Sequence, residues 1–319
     1  MEHFFIGIDI GGTNLRFALV NASGVIVYRN RTISGIKGGR AGFCERLLAG
    51  INELRKFAES RGGCIKGIGV GVPGLIGKDG LIHSSVNMRA LDGFNLTNFL
   101  NEETGYPSAC GNDANLIALG EQAFGAGRRF SSYIVITIGT GLGSGLILDG
   151  RLWTGAGGFA AEFGHVTVEP EGHPCPCGNR GCLEQYVSAG ALVRTAQELL
   201  PLELLNKWGD RLDAAVVASL AQQGELGALE AFQRMGRWLG NALASLVNTL
   251  DLEAVIIGGG VAASFDLLLP ALSVELRQRC FPQIAADLLI LKGELGDDAG
   301  LLGGCALAAT AMTVMDIEQ

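Results

Sequence analysis

One strand pattern occurs twice in this chain, and it limits the fold more than any other feature. Ile6-Gly-Ile-Asp-Ile-Gly-Gly-Thr13 runs into Asn14-Leu-Arg-Phe-Ala-Leu-Val20 and the turn Asn21-Ala-Ser-Gly24. Ile134-Val-Ile-Thr-Ile-Gly-Thr-Gly141 runs into Leu142-Gly-Ser-Gly-Leu-Ile-Leu148 and the turn Asp149-Gly150. Each copy reads as an apolar strand, a Gly/Thr turn, a second strand, and a turn toward a third. A β-meander opening each half of the chain predicts two related α/β domains.

The stretches after each meander fit that plan. Phe43, Leu47, Ile51, Leu54 and Ala58 recur at helical spacing, predicting a helix over about 40–60. Ile65 to Val72 reads as a strand ending in Pro73-Gly74, and Pro107 to Cys110 as a short strand. Asn112-Asp113 then opens a helix from Ala114 to Phe124, and Gly125-Ala-Gly127 reads as a domain hinge. In the second half, Met235, Trp238, Leu239, Ala242, Leu246 and Leu250 mark a helix. Ala254 to Ile257 is a strand ending in Gly258-Gly259-Gly260. A helix over about 264–280, a strand from Leu288 to Leu291 and a helix from about Ala299 follow. Strands alternating with helices predict mostly parallel sheets with helices on their faces.

Composition narrows the partners. Of 319 residues, 48% are hydrophobic and 18% charged, enough for a large core and too apolar for disorder. The net charge of −8, without a Lys/Arg-rich block, argues against a nucleic-acid partner. Met1-Glu2-His3-Phe4-Phe5 has no basic region ahead of an apolar stretch, so no signal peptide is expected. The uncharged run Ser131 to Leu148 is interrupted by Gly139, Gly141, Gly143 and Gly145, which suits two strands. Ala299 to Met315 reads as a buried helix rather than a membrane span. A cytoplasmic protein with no membrane partner is expected. Cys44, Cys64, Cys110, Cys280 and Cys305 stand singly in apolar surroundings and read as reduced core thiols.

Three clusters carry chemistry. In Asp9-Ile-Gly-Gly-Thr13, glycines leave backbone N–H groups open to a phosphate, and Asp9 could hold Mg²⁺ through water. The echo at Gly139-Thr140-Gly141-Leu-Gly143 favours phosphate binding over a plain hairpin turn at both places. Gly258-Gly259-Gly260-Val-Ala-Ala263 follows a strand like a dinucleotide turn, but no acid ends the next strand to take a ribose. Hydride transfer is therefore disfavoured, while close approach of a nucleotide is retained. His165, Cys175, Cys177 and Cys182 form H-x9-C-x-C-x4-C, a closed set of three thiolates and one imidazole that predicts a structural zinc. Asp113 could be a helix-cap acid. Glu162 and Glu184 flank the zinc segment without a ranking between them. Arg16 and Glu121 read, by default, as surface charges.

Together these segments resemble the ROK family, which groups bacterial sugar kinases with sugar-responsive repressors. The likeness runs nearly end to end, through Asp9 to Thr13, Gly69-Val-Gly-Val-Pro-Gly74, Asn112-Asp-Ala-Asn115, Gly139 to Gly145, Glu162-Phe-Gly-His165, Cys175-Pro-Cys-Gly-Asn-Arg-Gly-Cys-Leu-Glu184, Gly258 to Gly260 and Ala299-Gly-Leu-Leu-Gly303. The Glu-x-Gly-His and cysteine segment is its most specific part.

The resemblance implies a two-domain actin/hexokinase-like (ribonuclease H-like) α/β fold. The smaller domain would be residues 1–125, completed by the C-terminal helix (about 298–319), and the larger 126–297. It implies ATP-dependent phosphorylation of a hexose at its 6-hydroxyl, glucose to glucose 6-phosphate, with Asp113 as general base. Asn112, Glu162, His165 and Glu184 would bind the sugar hydroxyls, with Gly74 and Asn87 bordering the pocket. Asp9, Gly11, Gly12, Thr13, Thr140 and Gly141 would hold the phosphates and Mg²⁺, and Gly258 to Gly260 the adenosine side. A homodimer is the family expectation. Val86-Asn87-Met88-Arg89-Ala90-Leu91 departs from the common Pro-Asn-x-Pro-x-Trp loop, whereas Glu184-Gln-Tyr-Val-Ser188 is similar to glucokinase members. The alternatives are kinases for N-acetylmannosamine, N-acetylglucosamine, fructose, mannose or allose, or a sugar-sensing repressor. The repressor is disfavoured because the phosphate hairpin begins at Phe4, where a winged-helix segment would have to precede it.

Overall fold

The structure is a computed structural model that describes residues 2–85 and 88–317. The first meander is β1 (Glu2–Ile10), β2 (Asn14–Asn21) and β3 (Ile26–Ile33), followed by α1 (Gly39–Ser60) and β4 (Gly63–Val72). Three short strands, β5 (Leu75–Ile76), β6 (Leu81–Ser84) and β7 (Phe94–Asn95), precede α2 (Leu96–Thr104), β8 (Ser108–Asn112) and α3 (Asp113–Phe124). The second meander is β9 (Tyr133–Ile138), β10 (Leu142–Leu148) and β11 (Arg151–Leu152). After the zinc segment come α4 (Ala189–Leu199), α5 (Leu202–Trp208), α6 (Ala214–Gln222), α7 (Leu226–Leu250) and β12 (Ala254–Gly258). Then α8 (Phe265–Arg279), α9 (Pro282–Asp287), β13 (Leu289–Lys292) and α10 (Ala299–Ile317) complete the described chain.

The repeat seen in the sequence is a repeat of topology. One five-stranded sheet has the order β3-β2-β1-β4-β8, and another the corresponding order β11-β10-β9-β12-β13. The sheets are mixed rather than mostly parallel, because each meander contributes antiparallel pairs beside the parallel pairs. The chain divides into two compact units: residues 1–129, 145–161 and 294–319, and residues 130–144 and 162–293.

In the first unit, the alternating residues Ile6, Ile8 and Ile10 of β1 are buried with Phe17, Leu47, Leu54, Ile68 and Val70. The other face of this sheet receives α10. A Cβ on Gly7 would stand 1.9 Å from the Leu301 carbonyl oxygen, and one on Gly69 1.8 Å from that of Gly304, so the helix seats where the strands lack side chains. In the second unit, Tyr133 and Val135 of β9, Ile256 of β12, Leu239 and Leu243 of α7 and Leu268 of α8 are buried.

Among the described residues no helix is long and apolar enough to cross a membrane: 131–148 holds two strands, and α10 is buried from Ala299 to Cys305 and partly exposed after that. Of the single cysteines, Cys280 and Cys305 are buried and Cys44, Cys64 and Cys110 partly so. Burial pushes the Cys110 thiol up to about 12, and those of Cys305, Cys280 and Cys44 upward too.

Candidate active site and zinc centre

In the first unit, the parallel strands β1, β4 and β8 end along one edge: Asp9 lies level with Gly71, and Val72 with Asn112. Ligand-binding turns of α/β sheets gather at such carboxyl ends. Here the edge brings together Asp9 and its glycine turn, Gly74, and the start of α3. Asn112 is the N-cap of that helix, its Oδ1 accepting from the N–H groups of Ala114 (2.9 Å) and Asn115 (3.2 Å). Its Nδ2 donates to the Gly74 carbonyl at 3.1 Å, which ties two of the predicted sugar residues together. Asp113 is the first residue of α3, at the positive end of the helix, with Oδ1 accepting from Ala114 N at 2.9 Å. Gly74 has φ 127°, and a Cβ there would stand 2.2 Å from the Ser84 carbonyl oxygen. Asn87 lies outside the described residues.

The Gly11–Thr13 turn is held from both sides. Gly11 N–H donates to the Asn14 carbonyl at 2.8 Å, the Ser34 hydroxyl to that of Gly12 at 3.0 Å, and Ser34 N–H to that of Thr13 at 2.8 Å. Arg16 is not the free surface charge that its position in the sequence suggests. It faces Asp9 across the β1–β2 ladder, and its Nε donates to Asp9 Oδ2 at 2.8 Å, with a second contact from a terminal nitrogen. Another terminal nitrogen donates to the Asp297 carbonyl at 3.2 Å.

In the second unit the neighbouring parallel strands β9 and β12 also end together, Gly258 lying level with Thr137. The Gly139–Gly141 turn therefore adjoins Gly258 to Gly260. No atom lies within 4 Å of where a Cβ would stand on Gly139 or Gly260, so both turns offer bare backbone. Gly141 is different. Its Cβ would meet Glu184 Oε2 at 2.5 Å, an oxygen that already accepts from Leu142 N–H at 2.9 Å.

The zinc segment comes together as the spacing predicts. The ligand atoms of His165, Cys175, Cys177 and Cys182 all lie within 4.8 Å of one another. Cys177 Sγ is 3.6 Å from Cys182 Sγ, and Cys175 Sγ 3.7 Å from His165 Nδ1. Tetrahedral zinc with Zn–S bonds of about 2.3 Å requires sulfurs about 3.8 Å apart, so the donor set fits that ion. A tight turn forms the knuckle: Cys175 N–H donates to the Asn179 carbonyl at 2.8 Å, and Gly178 N–H to that of Cys175 at 3.0 Å. With Nδ1 turned to the thiols, the Nε2 side of His165 remains for another partner.

Glu162 and Glu184 flank this centre, each beside a one-turn helix: Glu162 precedes Phe163–His165, and Glu184 lies within Leu183–Gln185. Phe163 N–H donates to Ser144 Oγ at 3.2 Å, which fixes the Glu-x-Gly-His segment to β10. Burial pushes the Glu162 carboxyl above the usual range, His165 counters that, and the Glu184 charge adds to it. Two acids close enough to perturb one another beside an imidazole can accept hydrogen bonds from neighbouring hydroxyls of a polyol. Sequence reasoning missed Arg16, Ser34 and Ser144 as supports of these turns, because their partners lie elsewhere in the chain and form no recurring local pattern.

The ROK family profile matches residues 5–311. A glucokinase of Halalkalibacterium halodurans is 35% identical over 313 residues, covering 95% of this chain and 94% of that protein. A xylose repressor of Bacillus subtilis is 32% identical over 305 residues, covering 94% of this chain and 75% of the repressor. Among solved structures, a ROK family glucokinase from Streptomyces griseus in complex with glucose and AMPPNP superposes with a TM-score of 0.81 at 32% identity, covering 96% of this chain and 99% of that one. The architecture is accordingly the two-domain actin/hexokinase-like α/β fold. With the profile spanning nearly the whole chain and every quoted motif inside it, this protein belongs to the ROK family.

Proposed function

We propose that the chain is an ATP-dependent hexose kinase that phosphorylates the 6-hydroxyl, with glucose as the preferred sugar. The observation that carries this reading is the shared edge of β1, β4 and β8. It sets a carboxylate at a helix start, Asp113, on the same strand ends as the Asp9–Thr13 glycine turn. Phosphoryl transfer needs a positioned base and neutralised phosphate charge more than covalent chemistry. The likeness to the glucokinases supports the sugar-kinase class, and the glucose and AMPPNP in the related structure support hexose and ATP as substrates.

In this mechanism Asp113 takes the proton from the sugar 6-hydroxyl as its oxygen attacks the γ-phosphorus, and ADP departs. Asn112, Glu162, His165 and Glu184 orient the ring, with Gly74 and Asn87 at its border. Gly11, Gly12, Thr13, Gly139, Thr140 and Gly141 present backbone to the phosphates, and Gly258, Gly259 and Gly260 to the adenosine. Mg²⁺, when bound, neutralises developing phosphate charge, and Asp9 would hold it through water. His165, Cys175, Cys177 and Cys182 would hold zinc, which would fix the segments that carry Glu162 and Glu184. The functional domains in this reading are 1–125, completed by the C-terminal helix, and 126–297; the enzyme works in the cytoplasm as a homodimer.

Coupled ADP-release kinetics against a panel of about ten hexoses and N-acetylhexosamines test the reading. Glucose should give the highest kcat/KM, and a preference for another hexose would reassign the substrate within the same class. The 32% identity to a xylose repressor favours a second reading, a sugar sensor without turnover. That reading predicts sugar binding with no ADP release for any member of the panel.

A further inference from the structure

Glu121 has no part in the proposed chemistry, yet its surroundings are not those of a surface acid. It lies on α3 with only 2% of its surface exposed. Among the described residues no Lys, Arg or His pairs with it. Its carboxylate instead accepts three backbone hydrogen bonds. Oε2 takes those from Ala126 (2.8 Å) and Glu294 (3.2 Å), and Oε1 takes that from Leu295 (3.1 Å). A buried carboxylate without a counter-ion is tolerated only when its oxygens are answered in this way.

The donors come from two places far apart in sequence, and each adjoins a point where the chain passes between its units. The chain first leaves the first unit after Arg129 and returns to it for the last time at Glu294. Gly125 keeps the arrangement open, since a Cβ there would stand 2.1 Å from Glu121 Oε2 and 2.9 Å from Leu295 Cγ. The same helix begins with Asp113, about 12 Å away along a stiff rod of 1.5 Å per residue.

We propose that Glu121 is a positioning residue that fastens the first and last chain crossings to the helix carrying the base, so that Asp113 keeps one register to them during turnover. The proposal rests on Asp113 being the base. A glutamine is almost the same size but cannot replace the carboxylate. With one oxygen accepting, its NH₂ group faces a backbone N–H, so at least one anchor is lost while packing is kept.

The test is Glu121→Gln, studied by hydrogen-exchange mass spectrometry, calorimetry and steady-state kinetics with glucose and ATP. Exchange at one or more of Ala126, Glu294 and Leu295 should quicken by about tenfold or more, with amides elsewhere unchanged. Turnover should fall about tenfold, while the glucose Kd measured without nucleotide stays within about twofold. A role in packing alone would lower the unfolding temperature and leave both the local exchange pattern and kcat intact; that result overturns the proposal. Gly125→Ala displaces the carboxylate without removing it, and should reproduce the pattern even if Glu121→Gln folds poorly. Normal kcat in both variants would also overturn it. Failure of the base assignment would show separately, as normal turnover in Asp113→Asn with the exchange effect of Glu121→Gln intact.

Discussion

The backbone N–H of Leu142 donates to Glu184 Oε2 at 2.9 Å, and a side chain on Gly141 would begin 2.5 Å from that same oxygen. The glycine turn read as a phosphate cradle is thus also the seat of a proposed sugar ligand. Gly141→Ala should therefore weaken glucose binding about tenfold, the scale of one displaced hydrogen bond to a charged group. Calorimetry with glucose alone measures this. An unchanged glucose Kd with a raised ATP KM would return Gly141 to the phosphates only.

Asp113→Asn keeps a hydrogen-bonding amide at the head of α3 but removes the proton acceptor. Turnover should fall by about 10²–10⁴ while glucose affinity stays within several-fold. Coupled ADP release and calorimetry on the same preparation separate the two. Retention of half the wild-type kcat would end the assignment.

Elemental analysis should find one zinc for each set of His165, Cys175, Cys177 and Cys182. Cys177→Ala should lose the metal, and sugar binding should suffer more than ATP binding, because Glu162 and Glu184 both adjoin the metal segment, whereas of the nucleotide turns only Gly139–Gly141 touches it, through Glu184. Circular dichroism controls for general unfolding, since structural zinc also contributes to folding. A zinc-free variant with a normal glucose Kd would separate the metal from sugar recognition.

Gly69→Ala tests the seating of α10. The new methyl group would lie 1.8 Å from the Gly304 carbonyl, and backbone cannot yield as a flexible side chain can. The helix must lift from β4, and stability should drop by about 3 kcal/mol, read as a lower urea midpoint. A midpoint within error of wild type would mean that the helix is free to shift.

Much of this was written in local pattern. The meanders, the helix from Phe43 to Ala58 and the strand after Leu250 follow from apolar spacing, and their limits in the structure differ by only a few residues from those read in the sequence. The zinc quartet was legible because three of its four ligands fall within one turn-rich segment. The second meander's third strand shrinks to Arg151–Leu152, which no apolar run announced. Arg16 and Glu121 were misread for a shared reason. Their partners, Asp9 and Asp297 in one case and Ala126, Glu294 and Leu295 in the other, are set by how distant segments pair. A charged residue on a helix or strand carries no local sign of burial. The double duty of Gly141 was hidden likewise, since Glu184 reaches it only once the zinc segment has folded back.

The seating of α10 on β1 and β4 also sets an order of events during synthesis. The strands that it covers emerge first, but the helix emerges only after residues 130–293 have been made. At about 5–20 residues per second, roughly 10–30 s pass with the glycine-lined face of the first sheet uncovered. The middle unit, contiguous apart from its short excursion at 145–161, has time to fold in that interval, and the half that begins the chain is completed last. The nascent chain therefore leaves the strand face around Gly7 and Gly69 without its covering helix for that whole interval.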